Sequence, residues 1–447
     1  MTQFFKDRIK LEGNKKKVAT NVAWALTGKI VNMGGTLLVG ILVARYLGPD
    51  KFGLMNYVIS YVSIFTIIST FGLDNIEIRE LAKHPERKEY ILGTCFSIRL
   101  VCACITLLLV ILSLIIHKAD NFTTAMILLY SVTLFTGSFN LVRNYFTSIV
   151  KNEYVVKSEI ARTFIGAILK IGLLWLKAPL EYFIIATAFD TVLVASGYCL
   201  SYHKIIGHIR HWKFDTALVP FFVRESFPLM LSGAAVIIYQ RIDQVMIKNM
   251  IDDESVGYFA TAGKFLELIL FLPSILTQTV TPLLVKVRES GDSIGYEIKK
   301  RQFVGIVVWV SILLAAIVSA IAYPLIYLTF GVKYLAAVPV LQIMAWKTVG
   351  MALSSSGGQI IIMEGIQKWA VIRNLIGCMV CIGLNLLIIP HYGIVGSAWV
   401  TIITVMISGT LANVLIPPYW KILRLQLYGL FCGWKELVYI KSMITKK

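Results

Sequence analysis

Charged and amide side chains occur where a lipid bilayer would exclude them, inside long apolar stretches of the sequence. In one stretch Gln240, Arg241, Asp243 and Gln244 cover most of the circumference of a helix. Arg241 and Asp243 are two residues apart, about 200° around a helix axis, so they cannot point in the same direction. A charge at the centre of a membrane span costs about 2.5–3.5 kcal/mol. These side chains therefore predict a protein-lined or water-filled path.

Three more basic positions and one acidic position fit the same prediction. Lys264 and Glu267 are three residues apart, so they can pair along one face of a helix. Lys347 lies near the middle of its apolar stretch, and we expect it to face a cavity because the membrane surface is far away. Lys29 lies in the first stretch, where either a cavity or the cytoplasmic membrane surface could receive its ammonium group.

Positive charge exceeds negative charge among the intramembrane residues that we single out. Six are basic and three are acidic, which gives a net charge of +3. They are Lys29, Arg99, Lys170, Arg241, Lys264, Lys347, Asp190, Asp243 and Glu267. Two interpretations stay open: ion pairs that brace helix contacts, or a wall that attracts a phosphate or another acidic group. Asp190 is either buried in its neutral form or paired with Lys170.

Hydropathy predicts the elements that carry these residues. The chain of 447 residues is 57% hydrophobic, its mean hydropathy is +0.75, and twelve apolar stretches reach membrane-spanning length. A net charge of +18 would indicate nucleic-acid binding in a soluble protein. Here Lys and Arg fall mostly in short loops on one predicted side, as cytoplasmic loops do. We predict an all-α polytopic membrane protein with twelve transmembrane helices, cytoplasmic termini and no nucleic-acid partner.

Loop lengths divide the predicted protein into two halves. The predicted parts are a cytoplasmic N-terminal arm at 1–19, a six-helix bundle at 20–200, a cytoplasmic linker at 201–225, a second six-helix bundle at 226–417 and an amphipathic basic tail at 418–447. A shift of about 204 residues brings Gly53 over Gly257, each preceded by an acidic turn. Six spans per half keep both halves in one orientation, and transporters with such repeats bind substrate between the halves.

Motifs for enzymatic or metal chemistry are missing from the sequence. It contains no GxxxxGK[ST] phosphate loop, no HExxH and no dinucleotide fingerprint. Six of the seven cysteines lie in predicted spans, which is typical of packing residues. His203, His208 and His211 lie in the linker, where a solvated basic segment is favoured over a metal site. We therefore predict that the protein is not an enzyme and holds no metal or cofactor.

Four segments of the chain are distinctive together: Ala44–Gly53 (ARYLGPDKFG), Phe71–Lys83 (FGLDNIEIRELAK), Tyr239–Lys264 (YQRIDQVMIKNMIDDESVGYFATAGK) and Asn385–Thr401 (NLLIIPHYGIVGSAWVT). They resemble the bacterial polysaccharide transporter family, which includes the O-antigen and capsule repeat-unit flippases of lipopolysaccharide and polysaccharide biosynthesis. The resemblance implies a V-shaped pair of six-helix bundles, as in the multidrug exporters and lipid II flippases of the same superfamily. It also implies a location in the bacterial cytoplasmic (inner) membrane.

The substrate implied by this resemblance is an oligosaccharide repeat unit on undecaprenyl pyrophosphate, moved from the cytoplasmic to the outer leaflet by alternating access. Arg241 and Asp243 carry over from the family segment, whereas Lys29, Lys264 and Lys347 are assigned to the cationic cavity from burial alone, with Gln240 and Gln244 beside them. The alternative is a cation-coupled exporter of small amphipathic compounds, whose cavity should be more acidic.

Two further expectations concern the driving force and the partners. A proton or sodium gradient could act through Asp190, Asp243 or Glu267, because carboxylates buried in a low dielectric bind protons more readily. The tail from Tyr419 onwards is rich in apolar and basic residues, which favours an amphipathic helix lying on the membrane surface. Membrane lipid and, through this tail, glycan polymerase or assembly proteins are the other expected partners.

Overall fold

The computed structural model describes residues 2–118 and 120–436, and within residues 2–26 it describes only the side chain of Trp24. The described residues form helices and no strand. The helices are α1 (Thr2–Thr70), α2 (Asp74–Lys83), α3 (Lys88–His117), α4 (Asn121–Tyr130), α5 (Val132–Thr136), α6 (Asn140–Ser148), α7 (Asn152–Trp175), α8 (Leu180–Ile205), α9 (Val219–Met250), α10 (Asp253–Glu289), α11 (Ser293–Thr329), α12 (Ala337–Met344), α13 (Lys347–Met363), α14 (Ala370–Gly409) and α15 (Trp420–Cys432). The side chains of the predicted arm at 1–19 and residues 437–447 of the predicted tail lie outside the described part.

Nine segments of the described chain are long and apolar enough to cross a membrane, compared with the twelve spans predicted from the sequence. Two of the nine are unusually long: Thr27–Lys83 has 57 residues and Gln367–Leu415 has 49 residues. Helix α7 is not among the nine, because it carries five charged side chains in its 24 residues. The all-α prediction is confirmed, and the protein is a multi-pass membrane protein.

Each of the two long segments bends sharply at a glycine. In α1 the bend lies at Gly48, with a φ of 76° and a ψ of 169°, and Pro49 begins the helix that follows. In α14 the bend lies at Gly393, with a φ of 55° and a ψ of −145°. A positive φ is strained for residues with a Cβ atom, so glycine is needed at both bends. Two helical pieces therefore meet within α1 and within α14.

Several helix faces are apolar and exposed, as expected for contact with lipid. On α3, the side chains of Leu108, Ile115 and Ile116 are between 65% and 69% exposed. A soluble protein rarely exposes a continuous apolar surface of this kind.

The described helices group into two compact units. Unit 1 consists of Met1–Tyr46 and Tyr61–Ala234, and unit 2 consists of Leu47–Ser60 and Ala235–Lys447. The segment Leu47–Ser60 of α1 thus belongs to unit 2, where Gly53 and Gly257 allow close packing. A Cβ at Gly53 would overlap the backbone of Asp253, and a Cβ at Gly257 would overlap the backbone of Pro49. The two glycines that the sequence repeat matches lie at one helix contact.

Unit 1 contains a buried ion pair beside its apolar core. Arg99 and Glu77 are both fully buried. The Arg99 guanidinium donates from Nε to Glu77 Oε1 at 2.7 Å and from Nη2 to Glu77 Oε2 at 2.8 Å. Asp74 Oδ1 accepts a further bond from Arg99 at 2.7 Å, and Asn144 donates to both carboxylates. Arg99 therefore braces α3 against α2 and α6 and matches the ion-pair interpretation of the intramembrane charges.

Unit 2 includes helix α15, which lies in the predicted tail. Gln426 on this helix is fully buried and donates from Nε2 to the carbonyl oxygens of Leu353 at 2.7 Å and Gly409 at 2.9 Å. Its Oε1 accepts from Asn413 at 2.8 Å. Loss of the Gln426 amide would leave these buried carbonyl and amide groups without their hydrogen-bond partner, which would lower the stability of the fold. One face of α15 is thus fixed to α13 and to the end of α14, while Phe431 on the other face is 70% exposed.

Candidate functional site

The hairpin formed in unit 2 by the second half of α9, from Ala235 onwards, and by α10 carries most of the residues predicted to act. Asp252 caps α10 by accepting a hydrogen bond from the Ser255 backbone N–H at 2.7 Å, as an N-cap residue does. Lys248 near the end of α9 forms an ion pair with Asp253 at the start of α10. The ammonium group of Lys248 also lies over the Tyr57 ring, 5.9 Å from its centre. These contacts fix the turn between the two helices.

A polar cavity of about 170 Å³ lies against this hairpin within unit 2. Nine residues are assigned to the cavity or to ion coupling in the sequence analysis. Seven of these nine line it: Gln240, Arg241, Asp243, Gln244, Lys264, Glu267 and Lys347. Three cations and two carboxylates thus share one cavity, an excess of one positive charge. The cavity combines cationic and amide groups, which can bind an anionic oxygen and neighbouring hydroxyl groups.

Asp243 is the most deeply buried carboxylate of the cavity, with 2% exposure. Its Oδ1 accepts a hydrogen bond from Asn385 Nδ2 at 2.6 Å, and Asn385 Oδ1 accepts from Ser397 at 3.0 Å. The Cys381 thiol lies 3.5 Å from the same carboxylate oxygen. Asn385 and Ser397 come from the two sides of the bend in α14. Asp243 is therefore held in place by both pieces of that helix.

The cations of the cavity differ in burial. Lys347 is 8% exposed, and its charge attracts that of Asp243 and repels that of Arg241. Arg241 and Lys264 are half-buried. A buried cation costs free energy unless a negative charge compensates it. Asp243 compensates part of the charge on Lys347, and the half-buried Arg241 lines the same cavity.

Two predicted site residues lie in unit 1 instead. Lys29 is exposed on α1. Asp190 on α8 is 9% exposed, and its Oδ2 accepts from Lys170 Nζ at 2.5 Å. Of the two states that the sequence allowed for Asp190, the structure contains the pair with Lys170.

Several polar residues near the unit 2 cavity and near Asp190 in unit 1 are not predicted by the sequence analysis. In unit 2, Asn56 lines the cavity, and Ser60 donates to Gln244 Oε1 at 2.7 Å. In unit 1, Glu159 and Arg162 line a second cavity together with Asp190. Arg162 lies inside the apolar span predicted at 160–177 but is not among the nine charges singled out above. Its spacing from Glu159 is the same i, i+3 signal as that of Lys264 and Glu267.

Metal-binding clusters are not found among the described residues, in which no group of three His, Cys, Asp or Glu side chains is suited to hold an ion. The linker histidines contact one another through their rings, with centres 4.1 Å apart for His203 and His208 and 5.7 Å apart for His208 and His211. All seven cysteines are free.

Comparisons with known proteins agree on the family and the fold. Residues 18–288 match the profile of the family described as polysaccharide biosynthesis protein. No curated protein is similar enough in sequence to match the chain.

Among solved structures, the lipid II flippase MurJ in an inward closed conformation is similar with a TM-score of 0.69 and 18% identity, over 95% of this chain and 93% of that chain. An inward-facing multidrug resistance transporter of the MATE family, in the MOP superfamily, is similar with a TM-score of 0.65 and 14% identity, over 92% of this chain and 99% of that chain. A MOP superfamily transporter from Pyrococcus furiosus, whose binding pocket is described as having reverse polarity, gives 0.54 and 12%, over 95% and 94%. At these identities the likeness shows a shared fold.

Proposed function

Because the chain belongs to the family of polysaccharide biosynthesis proteins, we propose that it is a flippase for undecaprenyl-pyrophosphate-linked oligosaccharide repeat units. The family match confirms the resemblance found in the sequence, and the similar solved structures are transporters and a flippase, not enzymes. The substrate would move from the cytoplasmic to the outer leaflet of a bacterial inner membrane. Twelve crossings with both termini in the cytoplasm are part of this proposal, with two crossings each in the bent segments Thr27–Lys83 and Gln367–Leu415 and one in α7.

The single observation that carries the proposal is the cationic cavity in unit 2. Arg241, Lys264 and Lys347 outnumber Asp243 and Glu267, so the cavity favours a negatively charged headgroup. A pyrophosphate in a membrane loses its hydration, and fixed cations lower the cost of that loss. The polyprenyl chain needs no polar site, because it stays in the lipid while the headgroup passes by alternating access.

An exporter of small amphipathic compounds is the second candidate, because multidrug transporters share the fold. Many such compounds are cations, which the positive cavity would repel. A flippase and an exporter can be separated by the phenotype that each would restore.

Complementation tests the proposed function. We expect the chain to restore surface glycan in at least one of a panel of bacterial strains that lack their own repeat-unit flippase, because the carrier lipid is common to them while the glycan differs. Surface glycan would be measured by gel electrophoresis and by an anti-glycan antibody, with an empty vector as the control. Resistance to cationic drugs in a strain lacking its exporters, without glycan in any strain, would contradict flipping and favour the exporter.

Asp243 is the carboxylate that we propose for coupling to a proton or sodium gradient. It is the most buried of the three candidates, since Glu267 is exposed and Asp190 is paired with Lys170. A cation that joins a buried carboxylate removes much of its desolvation cost, so the bound and free states can favour different conformations.

The Asp243→Asn variant is expected to lose the response of transport to an imposed ion gradient, because the amide binds neither ion as a carboxylate does. Translocation of fluorescent lipid-linked oligosaccharide would be measured in vesicles, with proton and sodium gradients applied separately. Asp252→Asn, which changes a helix-capping carboxylate outside the cavity, should respond like wild type. A response of Asp243→Asn equal to that of wild type would rule out this residue.

A further inference from the structure

Helix α15 of unit 2 has a buried face and an exposed face of different character. The buried face is fixed to the bundle through Gln426, as described above, and through Gly429, where a Cβ would overlap the side chain of Val304 on α11. The exposed face consists only of apolar and basic side chains: Trp420, Lys421, Arg424, Leu427 and Phe431. The inner side of α15 is thus held by the protein, while its outer side is open.

Helix α15 lies where the apolar part of unit 2 ends. It begins five residues after the last residue of the apolar segment Gln367–Leu415. Its contact residue on α11, Val304, comes directly after the polar stretch that contains Lys299–Arg301. Hydrocarbon gives way to lipid headgroups at such a boundary. The exposed face of α15 is therefore placed at the interface between the hydrocarbon core and the headgroups.

Apolar and basic side chains occupy separate parts of this exposed face. At about 100° per residue, Trp420, Leu427 and Phe431 fall within about 40° of one another. These three side chains are between 39% and 70% exposed. Arg424 and Lys421 lie to one side of them, about 20° and about 80° beyond Phe431. A helix with an apolar stripe beside a basic edge lies in the plane of a membrane, with the stripe against acyl chains and the basic edge among headgroups.

An arginine from a second helix joins the basic edge. The Arg301 guanidinium of α11 lies over the ring of Tyr428, 5.6 Å from the ring centre. Tyr428 is one helical turn from Arg424 and two turns from Lys421, so it lies on the same edge of α15. Glu436 is the acidic residue recorded beside it and accepts a hydrogen bond from the Tyr428 hydroxyl at 3.0 Å. Three cations and one carboxylate give this edge an excess of two positive charges.

The chemistry of this surface fits an anionic lipid. Guanidinium groups bind phosphate oxygens through paired hydrogen bonds, and an ammonium group adds a compact positive charge. A soluble phosphate compound would satisfy the cations and leave the stripe of Trp420, Leu427 and Phe431 exposed to water. A phospholipid covers both parts, because its phosphate and its acyl chains are joined in one molecule.

We infer that the exposed face of α15, together with Arg301, binds anionic phospholipids of the cytoplasmic leaflet. That leaflet has a negative surface potential, which attracts nearby basic side chains. The proposed topology places α15 on the same side. Other residues line the unit 2 cavity, so this surface is separate from the proposed substrate site. The inference goes beyond the flippase function and does not depend on which substrate is transported.

Native mass spectrometry of the purified full-length protein tests the inference. The probes are dioleoyl phosphatidylglycerol and dioleoyl phosphatidylcholine, which have the same acyl chains and differ in net charge. Wild type should bind phosphatidylglycerol at least about tenfold more tightly than phosphatidylcholine. The double variant Lys421→Gln, Arg424→Gln should lose at least about tenfold in affinity for phosphatidylglycerol and keep its affinity for phosphatidylcholine.

A matched control makes the same charge change elsewhere in unit 2. Lys286 and Arg288 are exposed in the last turn of α10. The double variant Lys286→Gln, Arg288→Gln should bind phosphatidylglycerol like wild type. An equal loss of binding in both double variants would mean that net charge alone attracts the lipid, and it would overturn the site. A wild type that binds the two lipids equally would overturn it as well.

The apolar stripe is tested by a third double variant, Leu427→Ser, Phe431→Ser. It should weaken the binding of both lipids and keep the preference for phosphatidylglycerol, because it leaves the cations in place. Unchanged affinity for both lipids would contradict the placement of the stripe against acyl chains. If Lys421→Gln, Arg424→Gln binds phosphatidylglycerol like wild type but restores less surface glycan, the face belongs to an assembly protein and the lipid inference is wrong.

Discussion

The Arg241→Glu variant is expected to restore less than about one tenth of the surface glycan that the wild-type chain restores at equal protein level. A hydrogen bond to a charged group contributes about 1.5–3 kcal/mol, and 1.4 kcal/mol corresponds to a factor of ten in binding. The substitution also turns the excess of one positive charge in the unit 2 cavity into an excess of one negative charge. The glutamate would therefore repel the same phosphate that Arg241 attracts.

Loss of folding is not expected to explain this result. Arg241 is half-buried and forms no ion pair among the described side chains. Lys333→Glu makes the same charge change at an exposed position of unit 2 outside the cavity, and it should restore glycan like wild type. Surface glycan and membrane protein level would be measured in the same cells. Wild-type glycan with Arg241→Glu would remove Arg241 from the site.

Arg99→Met is expected to have the largest effect on stability, a loss of about 3–5 kcal/mol. The substitution leaves the Glu77 carboxylate fully buried without its bidentate partner, and among the described side chains only Asn144 still donates to it. Thermal unfolding of the purified protein in detergent would measure the change. The double variant Arg99→Met, Glu77→Gln should recover part of the loss, since it removes the uncompensated charge.

A surface ion pair of α2, the helix that carries Glu77, gives the matched control. Arg79 on α2 pairs with Glu80 and Glu225, and its side chain is 43% exposed. Exposed pairs contribute about 0–1 kcal/mol, so Arg79→Met should shift the unfolding temperature little. Equal shifts for Arg79→Met and Arg99→Met would mean that the buried cluster does not brace unit 1.

The unit 2 cavity could be predicted largely from the sequence because its residues share a strong local signal. Charges are costly inside apolar helices, so Arg241, Asp243 and Lys264 stand out against their neighbours. They also lie close to one another along a single hairpin. Lys347 is distant in sequence, but it is also a charge near the middle of an apolar stretch, so it stands out in the same way.

The unit 1 cavity was harder to predict, because its residues are partly matched and come from distant helices. Glu159 lies one residue before the span predicted at 160–177, and Asn32 is a common neutral residue. The hydrogen bond between Asn385 and Asp243 joins residues 142 positions apart, and no local pattern encodes such a contact. Lys29 is exposed in the structure, as expected for either of the two locations that the sequence leaves open, a cavity or the membrane surface.

The number of spans shows a limit of hydropathy averaging. A window of apolar residues runs through the bend at Gly393, so length and composition count two helical pieces as one segment. The five charged side chains of α7 lower its mean hydropathy, so this helix is not counted as a span. The first effect arises at the glycine bend of α14, and the second arises where α7 lines a polar cavity.

The segment Leu47–Ser60 has a consequence for engineering chimeras between relatives. A hybrid that joins the first half of one protein to the second half of another would place a foreign Gly53 segment against the Gly257 contact of unit 2. Structural modules in this chain are therefore not contiguous in sequence. A recombination map that exchanges 47–60 together with 235–447 keeps the contacts within each module native, so it is the better design for folded chimeras.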